Sequence, residues 1–177
     1  MCKQTDSQSQ NLCQDCGLCC DGTLFDSVNF HLQDALQPLQ PAGISLQQKE
    51  NEQYFLQPCA AHKNQSCTIY EHRPQVCREF QCQLLLQFQS GKTSLEKAKA
   101  IVVETVRQRD ELFAAMQAVM KLPRNLSLKH TTEVFDKTQR NIYGSEVVKN
   151  FSKIFLQAAV LQVRLKKFFE KNVPTPD

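Results

Sequence analysis

Tryptophan is absent from this chain, and tyrosine occurs three times and glycine five times in 177 residues. Phenylalanine, with eleven copies, supplies most of the aromatic bulk. No run approaches the roughly eighteen consecutive apolar residues of a membrane-crossing helix, so a helical span is not expected. The first ten residues, MCKQTDSQSQ, are polar and lack the apolar stretch of a secretion signal, so a reducing, cytoplasmic setting is expected. The formal charge of +3 is too small to suggest nucleic-acid binding, which requires a dense basic face. Arg164, Lys166, Lys167 and Lys171 read more simply as the solvated face and end of a helix. The chain contains no phosphate-binding loop, no dinucleotide fingerprint, and neither an HExxH nor a GxSxG motif. Glutamine is abundant but scattered, with no repeat period.

Cysteine is the outlier. There are nine, eight of them between Cys13 and Cys82, and none follows Cys82. Where thiols stay reduced, clustered cysteines point first to metal ligation. One constellation is Cys13-x-x-Cys16-x-x-Cys19-Cys20, and the other is Cys59, Cys67, Cys77 and Cys82. Two residues between ligands let a tight turn aim both sulfurs at one metal, and Gly17 tolerates the backbone conformation such a turn needs. The triple CxxCxxC run also suits iron–sulfur ligation. Adjacent side chains diverge, so Cys19 and Cys20 serve two metals more easily than one. A two-site arrangement is the first reading, and one cluster with spare thiols the alternative. Cys2 stands alone and is not expected to bind.

Four thiolates around a divalent cation leave a formal charge of about −2, which calls for a nearby cation. Arg73 and Arg78 flank Cys77 and are candidates to donate hydrogen bonds to sulfur in contact with the cofactor. Surface placement is the competing reading. Pro74 would stiffen the approach to Cys77, and Tyr70 is expected to pack under the site. His62 and His72 are weaker alternative ligands, with His72 expected in solvent. His31 and His130 carry no distinguishing signal.

Residues 1–12 are expected to be disordered, residues 13–90 to form the cysteine-cluster metal-binding region, and 91–177 a helical region packed on it. The fold class expected is mainly α, with a small irregular Cys-rich subdomain and a helical hairpin or bundle after it. The segments around 43–47 and 53–57 alternate as a short β-hairpin would. A helix capped by Thr93 or Ser94 is expected from Leu95 to Pro123, with Leu95, Ala98, Val102, Val106, Phe113, Met116 and Met120 in one stripe. A second helix is expected from near Thr132 to Gly144. A third should run from Ser145 to about Lys171, carrying Val147, Phe151, Ile154, Phe155, Ala158, Leu161, Leu165 and Phe168 on its apolar face. Pro174 and Pro176 would end the order.

The segments CQDCGLCC at 13–20, CCDGTLF at 19–25, PC at 58–59 and CTIYEHRPQVCREFQC at 67–82 resemble the YkgJ-type cysteine-cluster (CxxCxxCC) family of zinc- or iron-chelating domains. The resemblance spans roughly 13–82 and implies chelation by Cys13, Cys16, Cys19, Cys20, Cys59, Cys67, Cys77 and Cys82. An iron–sulfur cluster or zinc is the implied cofactor, with iron slightly preferred. A metal-handling, redox or accessory module is the leading expectation, with a protein partner for the C-terminal helices. The alternatives are an iron–sulfur enzyme similar to flagellin lysine methylases, which are much longer, and a structural zinc module. The methylase reading needs an S-adenosylmethionine site, and no segment here clearly provides one.

Overall fold

The computed structural model describes residues 2–31, 33–119, 126–139 and 145–170, without the side chains of 2–7, 10, 138, 139 and 145–151. The described residues form helices α1 (Cys2–Cys16), α2 (Gln75–Glu79), α3 (Gln83–Gln89), α4 (Leu95–Val119), α5 (Leu128–Gln139) and α6 (Ser145–Phe168). The strands are β1 (Ser27–Phe30), β2 (Gln47–Lys49), β3 (Glu52–Leu56), β4 (His62–Lys63) and β5 (Ser66–Cys67). The chain is thus mainly helical, with small antiparallel sheets. It divides into two compact units. One comprises Gln14–Phe80 with Arg124–His130, and the other Met1–Cys13, Gln81–Pro123 and Thr131–Asp177. Among the described residues no helix is long and apolar enough to cross a membrane.

The first unit is built on a three-stranded antiparallel sheet in the order β1-β3-β2. Strand β1 alternates, so Val28 and Phe30 point inward while Ser27 and Asn29 stay exposed. Val28 pairs with Phe55 of β3, and both enter a core with Phe30, Leu39, Ala42, Ile44 and Ala61. The expected hairpin exists, but β2 begins only at Gln47. Upstream, Gly43 adopts φ of 82° and its N–H bonds the Gln40 carbonyl, a turn that sends Ile44 into the core. Strand β1 and the β4–β5 hairpin had no sequence signal long enough to detect. In β4–β5, Asn64 and Gln65 both have positive φ, matching the two-residue turn whose twist suits a tight hairpin.

The second unit is helical. Ser94 caps α4, its hydroxyl accepting the Lys97 N–H at 3.2 Å. On α4 the buried side chains are Ala98, Val102, Thr105, Leu112 and Met116, so the stripe includes Thr105 and Leu112 instead of Val106 and Phe113. Thr105 enters this apolar face because its hydroxyl bonds the Ile101 carbonyl at 2.6 Å. Helices α4 and α6 pack together, and α3 touches both. Ile154, Leu161, Leu165 and Phe169 are buried, whereas Phe155 is 42% exposed and meets Phe135 edge-on at 6.0 Å. On the α4 surface, hydrogen bonds from Arg107 hold the Glu104 carboxyl down to about 2.

The second predicted helix begins earlier than Thr132, at Leu128, because Ser127 provides the cap. Expectations for Met120, Pro123, Gly144, Lys171, Pro174 and Pro176 lie outside the described residues, as do those for the side chains of Ser145, Val147 and Phe151. Residues 2–12, expected to lack order, contribute to α1, and Ser9 and Leu12 are buried.

Candidate metal centre

Four short segments of the sheet-containing unit carry candidate ligands. The first is the turn after α1, where Gly17 at φ 64° lets its carbonyl accept the N–H groups of Cys20 (2.8 Å) and Asp21 (3.0 Å). The second joins it directly, because the Cys59 N–H donates to the Cys20 carbonyl at 2.7 Å. The third is the β4–β5 hairpin, in which His62 pairs with Cys67. It is fastened to the second by the His62 N–H on the Cys59 carbonyl (3.0 Å) and the Thr68 N–H on the Ala61 carbonyl (2.9 Å). The fourth is α2, which follows Pro74 and presents Cys77. The Asp34 carboxylate accepts the Gln75 N–H at 2.7 Å and so stabilises the start of that helix.

These segments bring Cys20, Cys59, Cys67 and Cys77 within one another's electrostatic reach. Burial pushes the Cys20 thiol up from 9.0 to about 12, and charge on Cys59, Cys67, Cys77 and Asp21 adds to the shift. Burial also pushes Cys77 up to about 12, with Cys59, Cys67 and Asp34 acting in the same direction and Arg73 opposing. Cys59 is raised by burial and by Cys67, while the backbone N–H groups of Ala61 and His62 favour its thiolate. Every pair among the four cysteines therefore interacts. The physical cause is placement: Cys59 and Cys77 pack against the apolar core of Val28, Phe55 and their neighbours. A group of mutually repelling thiolates in that setting is unfavourable unless a cation is present.

The donor set fits a thiophilic metal on three counts. Thiols are soft donors, backbone N–H groups favour the Cys59 thiolate, and Arg73 favours the Cys77 thiolate. Among the described residues, no three ligand-type side chains already converge on one point at bonding geometry.

The other predicted ligands are placed differently. Cys82 caps α3, its sulfur accepting the Leu85 N–H at 3.4 Å. Its thiol is raised by burial and eased by the N–H groups of Leu85 and Leu84. Cys13 is exposed on α1, and Cys82 and Cys13 both belong to the helical unit. Cys16 and Cys19 are half-buried in the sheet-containing unit. Arg73 lies 3.5 Å over the Tyr70 ring and donates to the Tyr70 carbonyl at 2.8 Å. Tyr70 thus positions a cation. Arg78 is exposed in the last turn of α2. His72 is exposed, as expected.

One polar group escaped the sequence reading. The Asp26 carboxylate accepts from the buried Ser127 hydroxyl at 2.5 Å and pairs with Lys129 at 3.2 Å. His130 Nδ1 lies 3.0 Å from the Ser127 hydroxyl. The residue types suggest a nucleophilic triad, but Ser127 is 0% exposed and caps α5. Its hydroxyl cannot meet a substrate, so the group is a latch holding residues 126–130 to the sheet-containing unit. Gly22 supports it, accepting the Leu128 N–H at 2.7 Å where a Cβ would fall 2.9 Å from Ser127 Cα. A serine–glycine–aspartate set separated by a hundred residues leaves no local signature; only Ser127 as a helix cap was discoverable.

The fold is that of a mainly helical protein with a small sheet-containing unit, and that unit carries Cys16, Cys19, Cys20, Cys59, Cys67 and Cys77. The chain belongs to the CxxCxxCC family, described as "Putative zinc- or iron-chelating domain", whose model matches residues 12–112, more than half of the chain. No curated protein and no solved structure matches it.

Proposed function

We propose that this protein chelates a zinc or iron ion through Cys20, Cys59, Cys67 and Cys77 and works as a metal-handling or accessory module. The observation that carries the reading is that Cys20, Cys59, Cys67 and Cys77 lie on one compact unit, with the Cys59 N–H bonded to the Cys20 carbonyl and Cys67 paired with His62, whose N–H bonds the Cys59 carbonyl. Binding expels the thiol protons, draws the sulfurs together through their single side-chain torsions and offsets the repulsion between them. Arg73 stabilises the resulting negative charge at Cys77. Cys13, Cys16, Cys19 and Cys82 are proposed as additional ligands on the sequence spacing, and Arg78 as a further source of positive charge.

A second reading, an iron–sulfur cluster with redox or catalytic use, is favoured by the CxxCxxC spacing at the end of α1. A protein partner for the C-terminal helices is favoured by Leu156, Val160 and Val163, which line α6 at four- and three-residue steps and are 66%, 49% and 69% exposed.

The test is metal and acid-labile sulfide content of protein purified without oxygen, together with its visible spectrum. Zinc or iron at about one or two ions per chain without sulfide supports the chelated-ion reading. Iron with stoichiometric sulfide supports the cluster. Replacing Cys20 or Cys77 with Ser should abolish loading, and unchanged metal content in both variants would overturn the ligand assignment.

A further inference from the structure

We propose that His62 supplies a nitrogen ligand to the same metal as Cys67, making the site a mixed sulfur–nitrogen one. The inference rests on the thiolate site proposed above and adds a donor outside the cysteine pattern. Three observations converge on the imidazole.

The first is position. His62 and Cys67 are directly paired residues of the antiparallel β4–β5 hairpin. Opposed residues in such a pair project from the same face with their Cβ atoms about 5 Å apart, within the span of two ligands of one ion. The backbone N–H of His62 meanwhile favours the Cys59 thiolate. His62 is therefore tied through its strand partner and its backbone to two of the four coupled thiols.

The second is an unmet bond. His62 Nε2 is buried and has no hydrogen-bond partner. Leaving a buried polar atom unsatisfied is unfavourable. An unpartnered imidazole nitrogen can act as a metal ligand, and a thiophilic cation held by the neighbouring thiolates would give it a partner.

The third is the wall against which the ring lies. A Cβ on Gly17 would sit 2.9 Å from both Cε1 and Nε2 of His62. The Nε2 edge thus packs against the turn that carries Cys19 and Cys20, at a position where only glycine leaves it room. The glycine inside the CxxCGLCC run has two jobs: it makes the turn, and it leaves room for the imidazole beside the segment that leads to Cys19 and Cys20.

The experiment uses the full chain, freed of metal and reduced, then titrated with Co(II) and with Zn(II). Long-range proton–nitrogen spectra of ring-labelled histidine are recorded before and after zinc. The expected result is that one histidine's Nε2 resonance moves into the metal-bound range, and that this resonance is missing in His62→Gln. Removing a residue that merely supports a ligand costs about 10–100-fold in affinity, so His62→Gln and His62→Ala should weaken Co(II) binding by at least about that factor. Their cobalt spectra should also lose the nitrogen-dependent shift in the visible bands.

A chain that shows thiolate-to-cobalt charge transfer, yet moves no histidine nitrogen and keeps parental affinity in His62→Gln, would overturn the histidine proposal and leave the cysteine site standing. A parent chain with no thiolate-to-cobalt band would overturn both. The nitrogen spectrum of the parent needs no variant, so a misfolded substitution cannot decide the outcome.

Discussion

Raising the pH above 9 should destabilise the metal-free protein in a way that metal prevents. Cys20 and Cys77 stand at about 12 when folded, against 9.0 for an unhindered thiol. Burial is the main cause in both. Between these values the unfolded chain has released protons that the folded chain retains, so stability falls as pH rises. It is fully present below 9 and continues to be lost up to about 12. At pH 10 each thiol accounts for a loss of about 1.4 kcal/mol, and the pair for about 3 kcal/mol. Domains are typically stable by only about 5–15 kcal/mol, so this is a large fraction. At urea slopes of about 1–3 kcal/mol/M, the midpoint should drop by about 1–3 M between pH 8 and 10. The assay is urea unfolding followed by circular dichroism at pH 8, 9 and 10, with a non-thiol reductant present. Other alkaline titrations are controlled by a Cys20→Ser, Cys77→Ser double variant, which should lose most of the pH dependence. In the zinc-loaded protein the ligand protons are already gone, so the fall should disappear. An identical pH dependence in parent and double variant, or a midpoint that rises from pH 8 to 10, would refute the reasoning.

Further outcomes follow from the packing. Gly17→Ala should cost about 1–2 kcal/mol for the positive φ alone, and more because the new methyl meets the His62 ring. Gly91→Ala, with φ of 73° and nothing within 4 Å, should show only the backbone cost, so the difference in melting temperature isolates the clash. Ser127→Ala should destabilise by about 1–2 kcal/mol through loss of the α5 cap and the Asp26 bond, read by denaturant midpoint. Leu161→Ala, at a 0% exposed position on α6, should cost about 2–5 kcal/mol by leaving a cavity, whereas Val163→Ala at 69% exposure should stay within about 0.5 kcal/mol. Equal effects of the last two on thermal unfolding would show the α6 burial to be misassigned.

The reading of the cysteines depended on local spacing. The turn expected at Gly17 was legible for that reason, and it forms with φ of 64° and a carbonyl that accepts the Cys20 and Asp21 N–H groups. The helices were legible where apolar residues recur over long stretches, as at Ala98, Val102 and Met116 on α4 or Ile154, Leu161 and Leu165 on α6. Thr105 was missed because its hydroxyl is satisfied by its own helix, a bond that composition cannot reveal. Strand β1 has four residues and β4 and β5 two each, too few for alternation to stand out.

Sequence by itself determined the abundance of thiols, their tight spacing before Cys20, the membership in a chelating family and the helical character after Cys82. These are properties of composition and short-range periodicity. Only the tertiary structure decided which thiols share a neighbourhood, because Cys20, Cys59, Cys67 and Cys77 are separated by up to fifty-seven positions and meet through backbone bonds between turns, a hairpin and α2. It also placed the His62 imidazole edge against Gly17, a contact between residues forty-five positions apart. Such meetings depend on loop closure and on burial against Val28 and Phe55, which are energies of the folded chain as a whole.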